Sequence, residues 1–212
     1  MEGLYFFMVT TLVTSTPALS AYKLPAWKRA MDLVLGGTLL VLFSPLFVLC
    51  WAAVRLTSRG PALHWSRRVG KDNRLFAMPK FRTMRIETPQ LATHLLQQPE
   101  RYLTPIGALL RKTSLDELPQ LISVWRGDLS LVGPRPALFN QDDLVALRTR
   151  YGVHHLVPGM TGWAQINGRD DLEIPRKVGY DTAYMQAQSP RLDLKILILT
   201  FWKVLQAQGV QH

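Results

Sequence analysis

A chain of 212 residues with 48% hydrophobic content suits one domain, with enough apolar residues for a core and a membrane-facing segment. Its 25 Lys and Arg against 15 Asp and Glu leave a net charge of +10, which favours anionic partners: nucleic acid, an acidic membrane surface or phosphorylated substrates. The single cysteine, Cys50, lies in an apolar run; it excludes a disulfide framework and a cysteine-rich zinc site, and points to a reducing compartment.

Residues 1–24 read as an N-terminal arm. The apolar run from Leu4 to Val13 is short, is interrupted by Thr and lacks a basic leader, so a secretory signal is not expected. Lys28 and Arg29 then introduce the most hydrophobic stretch, Leu33 to Val54, within a segment delimited as 25–56. It is just long enough to cross a bilayer, which takes about 20 residues. Two features oppose a straight span. Ser44-Pro45 falls at its middle, where proline removes a helix hydrogen bond and the hydroxyl can pair with the freed backbone. Basic residues flank both ends, Lys28 and Arg29 before it and Arg55, Arg59, Arg67, Arg68 and Lys71 after it, and positive charge stays on the cytoplasmic side. A helix that dips in, breaks and returns satisfies both facts; a kinked full span is the alternative.

Residues 57–212 change character and are expected to form, with 25–56, one functional unit. Ala62–Trp65 and Leu75–Met78 predict short strands around a turn at Gly70–Asn73. In Pro79–Arg85 basic and apolar residues alternate, which gives either a solvated strand face or a phosphate-facing row that includes Lys80 and Arg82. Residues 88–103 predict a surface helix. Thr104-Pro105 has the form of an N-cap and first helical residue for a helix over Ile106–Leu110. Arg111-Lys-Thr-Ser-Leu-Asp-Glu-Leu-Pro-Gln-Leu121 follows, with the carboxylates Asp116 and Glu117 at the mouth of a short apolar helix. Pro119 fits the first helical turn, so backbone N–H groups and the positive dipole end are expected to keep these carboxylates ionised. The bland alternative is a Ser114/Glu117 capping box.

Asp128–Val132 predicts a brief strand that feeds Gly133-Pro-Arg-Pro136, where two prolines fix the loop presenting Arg135. A rigidly held guanidinium suits a pyrophosphate or a carboxylate. Asn140–Tyr151 reads as a helix and Pro158–Trp163 as a loop. Ala164–Ile166 runs on to a turn at Asn167-Gly168 and Arg169. Leu192–Leu205 is helical and apolar on most faces, belonging either to the core or to a membrane interface beside Trp202. The five histidines show no metal-ligand spacing, and neither a nucleophile-elbow serine nor a glycine-rich P-loop is present.

Taken in order, these stretches resemble one family. Lys28-Arg29-x-x-Asp32 before the Ser44-Pro45 segment, Lys80-Phe-Arg-Thr-Met84, Arg111 through Leu121, Gly127 through Pro136, Pro158-Gly-Met-Thr-Gly-Trp163 with Gln165, Asn167-Gly-Arg169 and Asp193-Leu-Lys-Ile196 are similar to the bacterial sugar transferases, the monotopic phosphoglycosyl transferases in minimal catalytic form. The resemblance implies a mostly helical α/β fold, with a re-entrant membrane helix, amphipathic interfacial helices and a small cytoplasmic catalytic domain with short strands over 57–212. It implies transfer of a phosphosugar from a UDP-sugar to undecaprenyl phosphate, with release of UMP, through a covalent aspartyl phosphosugar. Asp116 then matches the nucleophile and Glu117 its partner as metal ligand or base, with Mg2+ held by Glu117 and Asp116. Lys80, Arg82, Arg111 and Arg135 match the basic residues around the phosphates. Gln165 and Arg169 match positions that either touch the nucleotide or sugar or serve structure, and Ser44 and Pro45 match the re-entrant break. The implied partners are the UDP-sugar, undecaprenyl phosphate and anionic lipid at the cytoplasmic face of the bacterial inner membrane, with no nucleic acid; a homo-oligomer is compatible with it. Neither the sugar nor the pathway follows from the residues.

Overall fold

Two helices that share one apolar stretch begin the fold, α1 over Ala26–Leu42 and α2 over Ser44–Thr57, with a 59° bend between them at Phe43. This computed structural model describes residues 24–88, 99–168 and 172–205. The break sits where proline demands it: Pro45 occupies the first turn of α2, and the Ser44 hydroxyl donates to the Val41 carbonyl at 2.8 Å. Among the described residues no single helix is long and apolar enough to cross a membrane; only this bent pair meets the test together. Val34, Val41, Val48, Leu49, Trp51 and Leu56 leave its outer surface apolar and exposed.

The inner face of α1 is polar at one end and small at the middle. Lys28 and Asp32, one turn apart, are both buried. The Lys28 Nζ lies 2.5 Å from Asp193 Oδ2, and Asp193 Oδ1 accepts the Tyr184 hydroxyl at 2.8 Å. Asp32 Oδ1 accepts from the Ser130 hydroxyl and the Leu131 N–H, both at 2.9 Å. Arg29 donates to the Val124 and Trp125 carbonyls at 2.7 Å each, closing a helix C-terminus. The two basic residues before the apolar stretch are therefore tied into the protein rather than left to the lipid surface. Further along, Gly36 and Gly37 let Val124 and Trp125 approach: a Cβ would meet them at 3.1 and 3.0 Å.

The expected hairpin is present and longer than its sequence signal. β1 (Leu63–Val69) pairs antiparallel with β2 (Leu75–Phe81), with His64 opposite Lys80 and Ser66 opposite Met78. Asp72 and Asn73 adopt positive φ in the connecting turn. Of the alternating stretch Pro79–Arg85, only the first three residues belong to β2. Within 88–103, residues 89–98 lie outside the described residues, and Pro99–Tyr102 form a 3-10 turn. The next helix, α3, covers Gly107–Lys112. Thr104 does not cap it; its hydroxyl donates to the Thr83 carbonyl at 3.3 Å.

A 3-10 turn over Leu115–Glu117 leads to α4 (Gln120–Arg126) and then β3 (Ser130–Val132). α5 spans Asp142–Arg150. The stretch expected as a loop before Trp163 contains β4 (Gly159–Thr161), parallel to β3, and Trp163–Ile166 is a helical turn, α6. Two glycines permit this: a Cβ on Gly159 would lie 2.1 Å from the Gly133 nitrogen, so only bare backbone fits. α7 (Ile174–Ala187) had no counterpart in the sequence reading, and α8 (Pro190–Leu205) matches the expected last helix. The main core joins α4, β3 and β4 to α7 and α8, a second core joins α2 to β2 and α3, and a third packs α5 on α7. The architecture is thus mostly helical with short strands, as expected.

Candidate active site

Asp116 and Glu117 stand on the 3-10 turn, not on the first turn of an α-helix. Pro119 is the N-cap of α4, so the helix starts beyond the carboxylates. The capping box does not form: Ser114 has φ 56, in the left-handed region, and makes no side-chain cap bond. An N-cap residue typically has extended dihedrals, so Ser114 does not serve as one.

Three elements bring cations to this turn. β2 delivers Lys80, whose Nζ is 2.7 Å from Glu117 Oε1. The loop after β3 delivers Arg135, whose Nη2 is 3.5 Å from the same oxygen. α3 delivers Arg111, which donates from Nε to the Thr83 hydroxyl at 3.0 Å and acts on Asp116 through charge. Asp116 was expected to stay ionised; its pKa is pushed up to about 6. Burial is the main cause and Glu117 adds repulsion, while Lys80 and Arg111 pull the other way. This value lies below pH 7, so the ionised form still prevails there. Burial also lowers the pKa of Arg111, with Asp116 opposing.

The Arg135 loop is fixed from below. Arg148 of α5 donates to the Arg135 carbonyl at 2.8 Å and grips Asp181 of α7 with two nitrogens, at 3.0 and 2.7 Å. Sequence reasoning passed over this support, because a lone Arg on α5 and a lone Asp on α7 carry no motif. Gln165 lies beneath the same loop: it is buried, neither amide atom has a hydrogen-bond partner, and a Cβ on Gly162 would meet both its Oε1 and the Gly133 carbonyl.

Arg82 goes elsewhere. Its Nη2 donates to the carbonyl and hydroxyl of Ser58 at the end of α2, at 3.2 and 2.8 Å, so it does not continue the Lys80 row toward the acids. β2 ends at Phe81, and beyond it the strand alternation no longer governs direction. Ser44 and Pro45 are at the α1–α2 break, far from this chemistry in function, and Arg169 lies outside the described residues.

The family profile for bacterial sugar transferases matches residues 23–207. The chain belongs to the bacterial sugar transferase family. Among relatives of this bacterial sugar transferase, the sugar transferase EpsL of Bacillus subtilis (strain 168) is 43% identical over 187 residues, covering 87% of the chain and 90% of EpsL. The exopolysaccharide production protein ExoY of Rhizobium meliloti (strain 1021) is 38% identical over 200 residues, 86% of the chain and 87% of ExoY. The UDP-glucose:undecaprenyl-phosphate glucose-1-phosphate transferase of Escherichia coli (strain K12) is 41% identical over 184 residues, 83% of the chain but only 39% of that protein. The bacterial sugar transferase described here therefore spans about nine tenths of some relatives and well under half of others. As a member of this family it is a transferase enzyme.

Proposed function

We propose that this bacterial sugar transferase moves a phosphosugar from a UDP-sugar to undecaprenyl phosphate at the cytoplasmic face of the bacterial inner membrane, as an early membrane step of glycan assembly. The observation that carries the reading is the half-buried Asp116–Glu117 pair, standing before the start of α4 and ringed by Lys80, Arg111 and Arg135. Relatives with matching chains act, by their names, on UDP-glucose and undecaprenyl phosphate or in exopolysaccharide production, which supports the same substrate classes here.

In the proposed mechanism, an Asp116 carboxylate oxygen attacks the sugar-bearing phosphorus. The new O–P bond replaces the bond to the bridging oxygen, whose electron pair leaves on UMP. An oxygen of undecaprenyl phosphate then attacks the same phosphorus, the aspartyl O–P bond breaks, and the Asp116 carboxylate is regenerated. No proton is needed at Asp116, so a carboxyl ionised in most copies at pH 7 suits the task. Lys80 and Arg135 hold Glu117 beside it and supply positive charge to the diphosphate, Lys80 as a point charge and Arg135 as a planar fork.

The donor set fits Mg2+, which takes one or two carboxylates and completes its shell with substrate phosphates and water. Among the described residues no cluster of three or more His, Cys, Asp or Glu side chains exists, so Glu117 and Asp116 would hold the ion together with the diphosphate. Burial first, and then repulsion from Glu117, raises Asp116, and a divalent cation would relieve the repulsion. When bound, the ion neutralises charge on the diphosphate.

The bent α1–α2 pair, apolar outside and broken at Ser44-Pro45, supports a re-entrant placement, and the exposed Leu194, Ile198, Phe201 and Trp202 of α8 support its resting at the same interface. The test is UMP release over a panel of UDP-sugars, with and without undecaprenyl phosphate and Mg2+. Sustained release that requires all three, with no more than about one equivalent of UMP per protein when the lipid is omitted, supports the reading; a protein that releases no UMP from any member of the panel overturns it.

A further inference from the structure

β1 carries a polar row that no motif picks out. Residues opposite each other in an antiparallel pair project to the same face, so His64 stands on the face of Lys80, and Ser66 and Arg68 continue it with Met78 and Phe76 across from them. On the β2 side this face is filled by the core, since Met78 is buried. On the β1 side it is open: His64 is exposed, and Ser66 and Arg68 are half-buried. The row is joined to the site at both ends. At one end Lys80, opposite His64, holds Glu117. At the other, Arg68 donates to the Ser66 hydroxyl at 3.0 Å and to the Pro136 carbonyl, next to Arg135, at 3.3 Å.

We infer that His64, Ser66 and Arg68 form the wall along which the nucleotide half of the donor lies, with Lys80 marking the boundary to the reacting phosphorus. The inference rests on the proposed phosphosugar transfer. That reaction cleaves a diphosphate into a half that stays with the lipid and a water-soluble nucleoside monophosphate. The soluble half needs a polar surface that starts at the acidic pair, and the β1 row runs from Lys80, which holds Glu117, to the loop that carries Arg135. Its chemistry fits a nucleoside monophosphate: Arg68 offers charge to the phosphate, while the Ser66 hydroxyl and the His64 imidazole offer neutral hydrogen bonds to phosphate or ribose oxygens. The outer edge of His64 is exposed while the rest of the ring is partly desolvated; that desolvation, and then Lys80 and Arg68, lower its pKa, so it stays an uncharged donor and acceptor at neutral pH.

Direct binding of UMP to the full-length protein in lipid nanodiscs, measured by titration calorimetry, tests this. Ser66→Ala and His64→Ala should each weaken UMP binding about 3- to 10-fold, the range of one neutral hydrogen bond. Trp65→Ala, on the opposite face of the same strand, should leave it within about twofold, which separates lost contacts from a disturbed hairpin. In turnover, kcat/KM for the UDP-sugar should fall in parallel for the two variants of the row, while kcat/KM for undecaprenyl phosphate should not. If the unmodified protein releases UMP from a UDP-sugar and both row variants bind UMP as tightly as it does, the nucleotide wall is refuted and the function stands. If Trp65→Ala weakens binding as much as the row variants, the wall is likewise refuted. If the unmodified protein neither binds UMP nor releases it, the function fails and takes the wall with it.

Discussion

Asp116→Asn separates the cost of the acidic pair from its use. Folding moves the Asp116 carboxyl from 3.8 to about 6, chiefly by burial and then by Glu117. A carboxylate whose pKa rises on folding destabilises the native state when ionised. The penalty is absent below the unfolded value, grows between the two values and is complete above the folded one. At about 1.4 kcal/mol per unit, the full penalty at pH 7 is ~3 kcal/mol, falling to about half at pH 5 and to a few tenths at pH 4. Asparagine keeps the shape and removes the charge. The variant should therefore be more stable than the unmodified protein at pH 7, by about 1–3 kcal/mol, or a few degrees in Tm for a chain of this size. It should also lack transferase activity. The assay is thermal unfolding in detergent with chelator present, at pH 4, 5 and 7, beside UMP release at pH 7. A variant of equal or lower stability at pH 7, or a gain that does not shrink toward pH 4, refutes the electrostatic account of the site.

Other consequences are direct. Arg135→Ala should lower UMP release by more than ~10-fold, because a charge-assisted bond to phosphate contributes about 1.5–3 kcal/mol. Circular dichroism should stay unchanged, since Arg148 holds the Arg135 backbone carbonyl and not its side chain. Asp181→Ala strands a buried guanidinium, and chemical denaturation should register a loss of about 3–5 kcal/mol. Single cysteines at positions 24 and 60, in a Cys50→Ala background, should react with an impermeant reagent from the same side of the membrane. Reaction from opposite sides would replace the re-entrant pair with a kinked span.

Where local chemistry dictates geometry, the sequence was readable. Ser44-Pro45 could only break a helix, and the hydroxyl-to-carbonyl bond at the break follows from the proline. The hairpin followed from its turn residues and its alternation. Long-range partnership was not readable. Lys28 looked like a surface flank, but Asp193, distant in sequence, makes it an interior residue. The Ser114–Glu117 pattern looked like a cap, but Ser114 takes a left-handed dihedral and makes no side-chain cap bond. α7 was missed because its apolar positions are sparse; it owes its place to buried Val178, Asp181 and Tyr184, which depend on partners elsewhere in the chain. The site followed the same division. Family motifs singled out Asp116, Glu117, Lys80, Arg111 and Arg135, which the fold brings near one another, whereas Arg82, adjacent in motif to Lys80, bonds Ser58 beyond the end of its strand. The raised pKa of Asp116 needed the fold, because burial is its first cause.

The central claim is that Asp116 accepts the phosphosugar covalently, and trapping that adduct tests it most directly. The protein would be incubated with Mg2+ and the UDP-sugar that supports UMP release, radiolabelled in the sugar and in the sugar-bearing phosphate, with no lipid acceptor, then denatured and mapped by peptide mass. The account predicts label on the peptide containing Asp116, released by hydroxylamine as an acyl phosphate is, discharged by undecaprenyl phosphate before denaturation, and absent from Asp116→Asn. Label mapping to Glu117, or full turnover by Asp116→Asn, would contradict it.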